Sequence, residues 1–163
     1  MTQKQDLFDA LTAQLQALLA GETNFLANSA NTASLLYHSL PEINWVGFYF
    51  LKDGQLVLGP FHGRPACTRI ALGKGVCGTA AAEQKTIIVP NVHEFPGHIA
   101  CDCASASEIV VPIIVGHRLI GVLDVDSPTF GRFDAEDRDG LQRVVKVFLD
   151  AVGPLPAQWA FCD

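Results

Sequence analysis

The stretch Val92–Glu108, V-H-E-F-P-G-H-I-A-C-D-C-A-S-A-S-E, concentrates histidines, cysteines and acids in one short segment. Pro96 and Gly97 bar a continuous helix through it. Its flanks, Thr86–Pro90 and Ile109–Val115, are apolar and β-branched, as strands are. A reactive loop between two strands is the arrangement this predicts, and loops of that kind carry function.

Three chemistries compete for these side chains. His93-Glu-Phe-Pro-Gly-His98 resembles the HExxH zinc motif, but the spacing is one residue too long and Pro96 and Gly97 break the helix that would align the imidazoles. A zinc site from Cys67, His98, Cys101 and Cys103 is a lesser alternative, because Cys-x-Cys differs from the usual Cys-x2-Cys knuckle. Thiol redox work fits better. Cys67, Cys77 and Cys101 all lie in turn-rich stretches, although any one alone is equally well a small buried hydrophobe. Gly73-Lys-Gly-Val-Cys-Gly matches neither a Walker A loop nor GxGxxG and reads as a tight turn into a helix. Cys77 then sits in that helix's first turn, where the dipole favours a thiolate.

A second constellation is acidic. Alternation along Leu119–Asp126 puts Ile120, Val122, Asp124 and Asp126 on one face, against Leu119, Gly121, Leu123 and Val125. Glu108 ends the neighbouring strand. Asp126-Ser-Pro also starts a turn, so part of this cluster is explained by chain reversal. Asp124, among apolar neighbours, requires a partner, and like-charged neighbours would raise its pKa. Such a cluster suits binding an ammonium group or protonating an oxygen. Trp45 and Tyr49 share a face of another strand and are candidates for an aromatic wall, though core packing explains them equally well.

The elements that position these residues follow from periodicity. Gln5–Leu19 and Asn24–Leu40 read as amphipathic helices, ended by Gly21 and Pro41. Asn44–Leu51 alternates as a strand, and Lys52-Asp-Gly54 turns it into a return strand, Gln55–Pro60. Thr68–Ala71 and Thr86–Val89 are short strands, and Gly73–Ala82 is a glycine turn leading into a short helix. Glu108–Val115 and Leu119–Asp126 form a hairpin. Asp134–Val152 is a closing helix that Asp134 could cap. The expected fold is α+β, with a mainly antiparallel six-stranded sheet, helices on one face and a pocket on the other.

At 163 residues the chain suits one domain, with a core about 21–152 and a tail 153–163. Eleven Lys and Arg against seventeen Asp and Glu give a net charge of −6, which argues against nucleic acid and anionic membrane as partners. Met1–Asp9 is polar, without a signal-peptide core, so a cytoplasmic location is expected. Five cysteines in such a chain point to thiol chemistry or metal before a disulfide framework.

Taken together, G-K-G-V-C-G-T-A, H-E-F-P-G-H-I-A-C-D, S-E-I-V-V-P and I-G-V-L-D-V-D-S with F-D-A-E-D resemble the free methionine-(R)-sulfoxide reductases, which are GAF domains. N-F-L-A-N-S-A-N and N-W-V-G-F-Y extend the likeness towards the start. The resemblance implies a GAF fold and reduction of free methionine R-sulfoxide through a sulfenic acid and a disulfide, recycled by thioredoxin, with no bound cofactor or metal. It implies Cys101 as catalytic thiolate, Cys67 as resolving cysteine and Cys77 as auxiliary. Glu108, Asp124 and Asp126 would hold the substrate and polarise its oxygen, with Trp45 and Tyr49 bordering the pocket. Pairing of two copies into a homodimer is a further expectation. Cys103 departs from the family pattern as a second thiol beside Cys101, and Cys162 matches no family role. A non-catalytic ligand-binding GAF module is the alternative function, and a zinc-binding structural protein a third.

Overall fold

The computed structural model describes residues 1–97 and 104–155. The sheet is built from β1 (Trp45–Lys52), β2 (Gln55–Gly63), β3 (Arg69–Ala71), β4 (Ile87–Val89), β5 (Ser107–Val115) and β6 (Arg118–Ser127). All pairs are antiparallel, in the order β3-β2-β1-β6-β5-β4. The helices are α1 (Gln3–Leu19), α2 (Phe25–Ser39), α3 (Gly75–Glu83) and α4 (Ala135–Ala151). Among the described residues no helix is long and apolar enough to cross a membrane.

Local signals explain the helix ends. Thr2 and Gln5 form a reciprocal capping box at α1, and the Asn24 side chain accepts from Ala27 N at α2. Asp134 caps α4 by accepting from the backbone of Glu136 and Asp137. Asp137 is also the buried centre of an ion pair, with Arg132 Nη1 3.0 Å from its Oδ1 and Lys4 Nζ 2.5 Å from its Oδ2. This ties α1 to the loop entering α4.

The sheet separates two apolar clusters. Val46, Phe48 and Phe50 of β1, Ile109, Val111 and Ile113 of β5, and Leu123 and Val125 of β6 pack against α1, α2 and α4. The opposite faces of the same strands, with Trp45, Tyr49, Val110 and Val122, meet Val76, Cys77, Ala80 and Ala81 of α3. The three long helices thus lie on one face and short α3 on the other. Val92, read from sequence as part of a polar loop, is buried in this second cluster.

Two irregularities separate the sheet from simple alternation. β2 runs on to Gly63, past the break expected at Phe61, because its pairing with β1 shifts between Gly47 and Tyr49. On β6, Ile113 pairs with Gly121 and Ile114 with Leu119, so Ile120 is the extra residue of a bulge. Ile120 therefore joins the helix-side core and Leu119 the pocket side, the reverse of the expected faces. Beyond the bulge, Val122, Asp124 and Asp126 keep the expected phase.

Gly121 lies at this bulge and opposite Phe50. A Cβ there would come within 2.1 Å of the Tyr49 carbonyl oxygen, a backbone atom that no side-chain rotation can move away. We expect Gly121→Ala to destabilise the domain by about 3 kcal/mol, read from its urea unfolding midpoint.

Candidate active site

The antiparallel register brings the acids together. Glu108 pairs with Asp126 across β5 and β6, and Val110 pairs with Asp124. β1 flanks β6 on its other side, with Gly47 opposite Asp124 and Trp45 opposite Asp126. The resulting pocket is lined by Trp45, Tyr49, Cys77, Ser105, Glu108, Asp124 and Asp126, with Pro65, Ala66, Ile70 and the start of α3 completing it. It sits on the sheet face covered by α3.

Each wall residue is held by a specific contact. Trp45 Nε1 donates to the Arg64 carbonyl at 3.0 Å, and its indole stacks on Phe61 and Tyr49. Tyr49 Oη donates to the Cys67 carbonyl at 2.9 Å. The indole also lies over Gly47, where a Cβ would meet the ring at 2.4 Å. Gly47 is therefore a site-forming residue that sequence reading passed over. Its signal was the lone residue without a side chain in an otherwise aromatic run. Ser105 was passed over as well. It is buried, lines the pocket, and accepts from Asn44 Nδ2 at 3.5 Å.

Glu108 and Asp124 are each only 6% exposed. Burial pushes the Glu108 carboxyl well above the ordinary range, and the charges of Asp124 and Asp126 push it further. Asp124 is pushed up to about 6 by burial, against hydrogen bonds to Glu108 and Cys77 that favour its charged form. Asp124 Oδ1 is buried without a hydrogen-bond partner. An unsatisfied buried acceptor is costly and marks a place prepared for a donor. Cys77 Sγ donates to Glu108 Oε1 at 3.9 Å. Burial raises its thiol well above the ordinary value, and the neighbouring carboxylates raise it further. The dipole of α3, expected to favour a thiolate, is outweighed here.

The cysteines differ in state. Cys67, half-buried on the segment between β2 and β3, is disulfide-bonded. Cys77 is a free, buried thiol and so is not its partner. Cys101, Cys103, His98 and Cys162 lie outside the described residues. The structure thus gathers Trp45, Tyr49, Cys77, Glu108, Asp124 and Asp126 on one pocket, with Cys67 joined to it through its carbonyl contact with Tyr49.

Buried carboxyls with raised pKa can supply a proton to a departing oxygen or receive a cationic group, and the aromatic pair offers an apolar wall. Comparison with known proteins gives this arrangement its family. A family model described as "GAF domain" matches residues 27–151. The free methionine-R-sulfoxide reductase of Escherichia coli strain K12 is 55% identical over 142 residues, covering 87% of this chain and 86% of that protein. Its namesake from Saccharomyces cerevisiae is 41% identical, over 88% and 84% of the two chains. The structure of free methionine-R-sulfoxide reductase from Neisseria meningitidis in complex with its substrate superposes with a TM-score of 0.88 at 42% identity, covering 93% of this chain and 91% of that one. With its six-stranded antiparallel sheet, its acid-lined pocket and these likenesses along most of its length, the chain belongs to the GAF-domain family of free methionine-R-sulfoxide reductases.

Proposed function

We propose that this chain reduces free L-methionine R-sulfoxide to methionine, with Cys101 as nucleophile, Cys67 as resolving thiol and thioredoxin as the external reductant. The observation that carries the reading is the pair of buried carboxyls, Glu108 and Asp124, set against the Trp45–Tyr49 wall in a chain 55% identical to a protein of that name. A free amino acid brings an ammonium group that the acid cluster can receive. A methionine inside a polypeptide brings an amide, which leaves the buried acids unanswered. The aromatic wall suits the S-methyl end.

In this mechanism the Cys101 thiolate attacks the sulfoxide sulfur while a carboxyl of the cluster protonates the oxygen. Oxygen passes to Cys101 as a sulfenic acid, and the sulfur leaves as the thioether of methionine. The Cys67 thiol then condenses with the sulfenic acid, forming a disulfide and releasing water. A thioredoxin dithiol reduces that disulfide by exchange. The disulfide at Cys67, beside a free Cys77, supports Cys67 as resolver. Cys77, protonated and hydrogen-bonded to Glu108, serves better as a donor to the acid cluster than as a nucleophile.

Three outcomes test the reading. Turnover of free methionine sulfoxide with dithiothreitol should be confined to the R epimer and abolished in Cys101→Ser; tight binding without turnover would instead identify a ligand-sensing module. Cys67→Ser should retain dithiothreitol-driven turnover and lose thioredoxin-driven recycling, followed in the same assay with each reductant.

Asp124→Asn should lower kcat by about 10²-fold or more if the cluster supplies the proton. The charge of Asp124 adds to burial in holding the proton on Glu108, so without it that proton leaves at lower pH. The high-pH limb of the variant's kcat profile should therefore move to lower pH. Stability should change in the opposite sense. The folded-state pKa of Asp124, about 6, lies above its ordinary value of 3.8. Its contribution is fully present below the unfolded pKa and is lost as pH rises through the folded one. The Asn variant escapes that loss, and at neutral pH it should be more stable than the parent by on the order of 2 kcal/mol in urea unfolding.

A further inference from the structure

The floor of the pocket holds a set of donor atoms that sulfoxide reduction does not use as a set. One ligand atom each from Cys77, Glu108 and Asp124 lies within 4.8 Å of the other two. The thiol sulfur and Glu108 Oε1 are 3.9 Å apart. A tetrahedral ion with a metal–sulfur bond of about 2.3 Å and a metal–oxygen bond of about 2.0–2.2 Å spaces those two ligands about 3.5 Å apart. That pair needs to close by only a few tenths of an ångström, and the remaining separations start from within 4.8 Å. All three residues are buried, Cys77 at 4% exposure, and they come from three elements, α3, β5 and β6, whose packing fixes their separation. Within that set, Asp124 Oδ1 is a buried acceptor with no hydrogen-bond partner, on a residue that lines this pocket.

We propose that Cys77, Glu108 and Asp124 form a binding site for a soft divalent cation of the zinc and cadmium class. The thiolate sets the class, since magnesium and calcium take oxygen ligands in larger numbers. Binding releases the Cys77 proton to solvent and leaves the cation bonded to one sulfur and two carboxylates. The ion offsets the mutual repulsion of the acids, and it supplies the unpartnered Asp124 oxygen with a ligand bond. An ion at this position occupies the carboxylates that the proposed function gives to the substrate ammonium. Ion and substrate should then exclude one another, a consequence that rests on that functional reading.

Titration of the full chain with cadmium, prepared without reductant so that Cys67 stays in its disulfide, tests the site directly. The expected result is a thiolate-to-cadmium charge-transfer band that saturates at one ion per chain. The band should persist in the doubly substituted Cys103→Ser, Cys162→Ser protein and in excess magnesium. It should be lost in Cys77→Ser, and its affinity should fall about tenfold or more in Glu108→Gln, at least as much as loss of an outer-shell partner produces. Absence of the band in the parent chain, or a band indifferent to both Cys77→Ser and Glu108→Gln, would overturn the proposal. Displacement of cadmium by free methionine R-sulfoxide tests only the exclusion. A Cys77-dependent band that the sulfoxide leaves in place supports the cation site and removes the substrate from it.

Discussion

The two-residue period of the central strands is the constraint on which everything else rests. β6 pairs with β1 on one side and β5 on the other, and beyond the Ile120 bulge each turns alternate side chains to opposite faces. One face must be apolar to hold α1, α2 and α4. The other is then free to carry Glu108, Asp124 and Asp126 beside Trp45 and Tyr49. A slip of one residue would send the acids into the helix-side core and the phenylalanines of β1 to the pocket. Pairing along β1 and β6 therefore fixes the core and the site in a single step.

The acids occupy a site that the fold alone would not choose. Two carboxyls are buried close together, near a thiol whose pKa burial also raises. One oxygen has no partner. Stability is lost wherever such groups must be charged. The remainder of the domain compensates through deep packing on the opposite face and through the Arg132–Asp137–Lys4 network that anchors α4. Rigid support lies on one side of the sheet, and electrostatic tension on the other.

Much of this organisation was legible in the residues. Alternation in N-W-V-G-F-Y-F-L placed Trp45 and Tyr49 opposite Phe48 and Phe50, as the two core clusters do. The same period put Asp124 with Asp126, and Asp134 was recognisable as a helix cap. Ile120 and Leu119 escaped, because a bulge inserts one residue and reverses the phase behind it, and the residues carry no local mark of where pairing will shift. The reach of β2 to Gly63 escaped for the same reason. The state of Cys77 also escaped. Position at a helix start argued for a low thiol pKa, whereas burial among carboxylates raises it.

The sequence by itself determined the element types, the period of each strand and the family blocks, because these depend on short-range spacing and residue chemistry. Tertiary structure alone decided how deeply the acids are buried, which cysteine lies against them, and that Gly47 clears the space for the Trp45 ring. Those outcomes depend on pairing between segments distant in the chain, and the desolvation that shifts the carboxyl pKa values exists only once those segments have closed over one another.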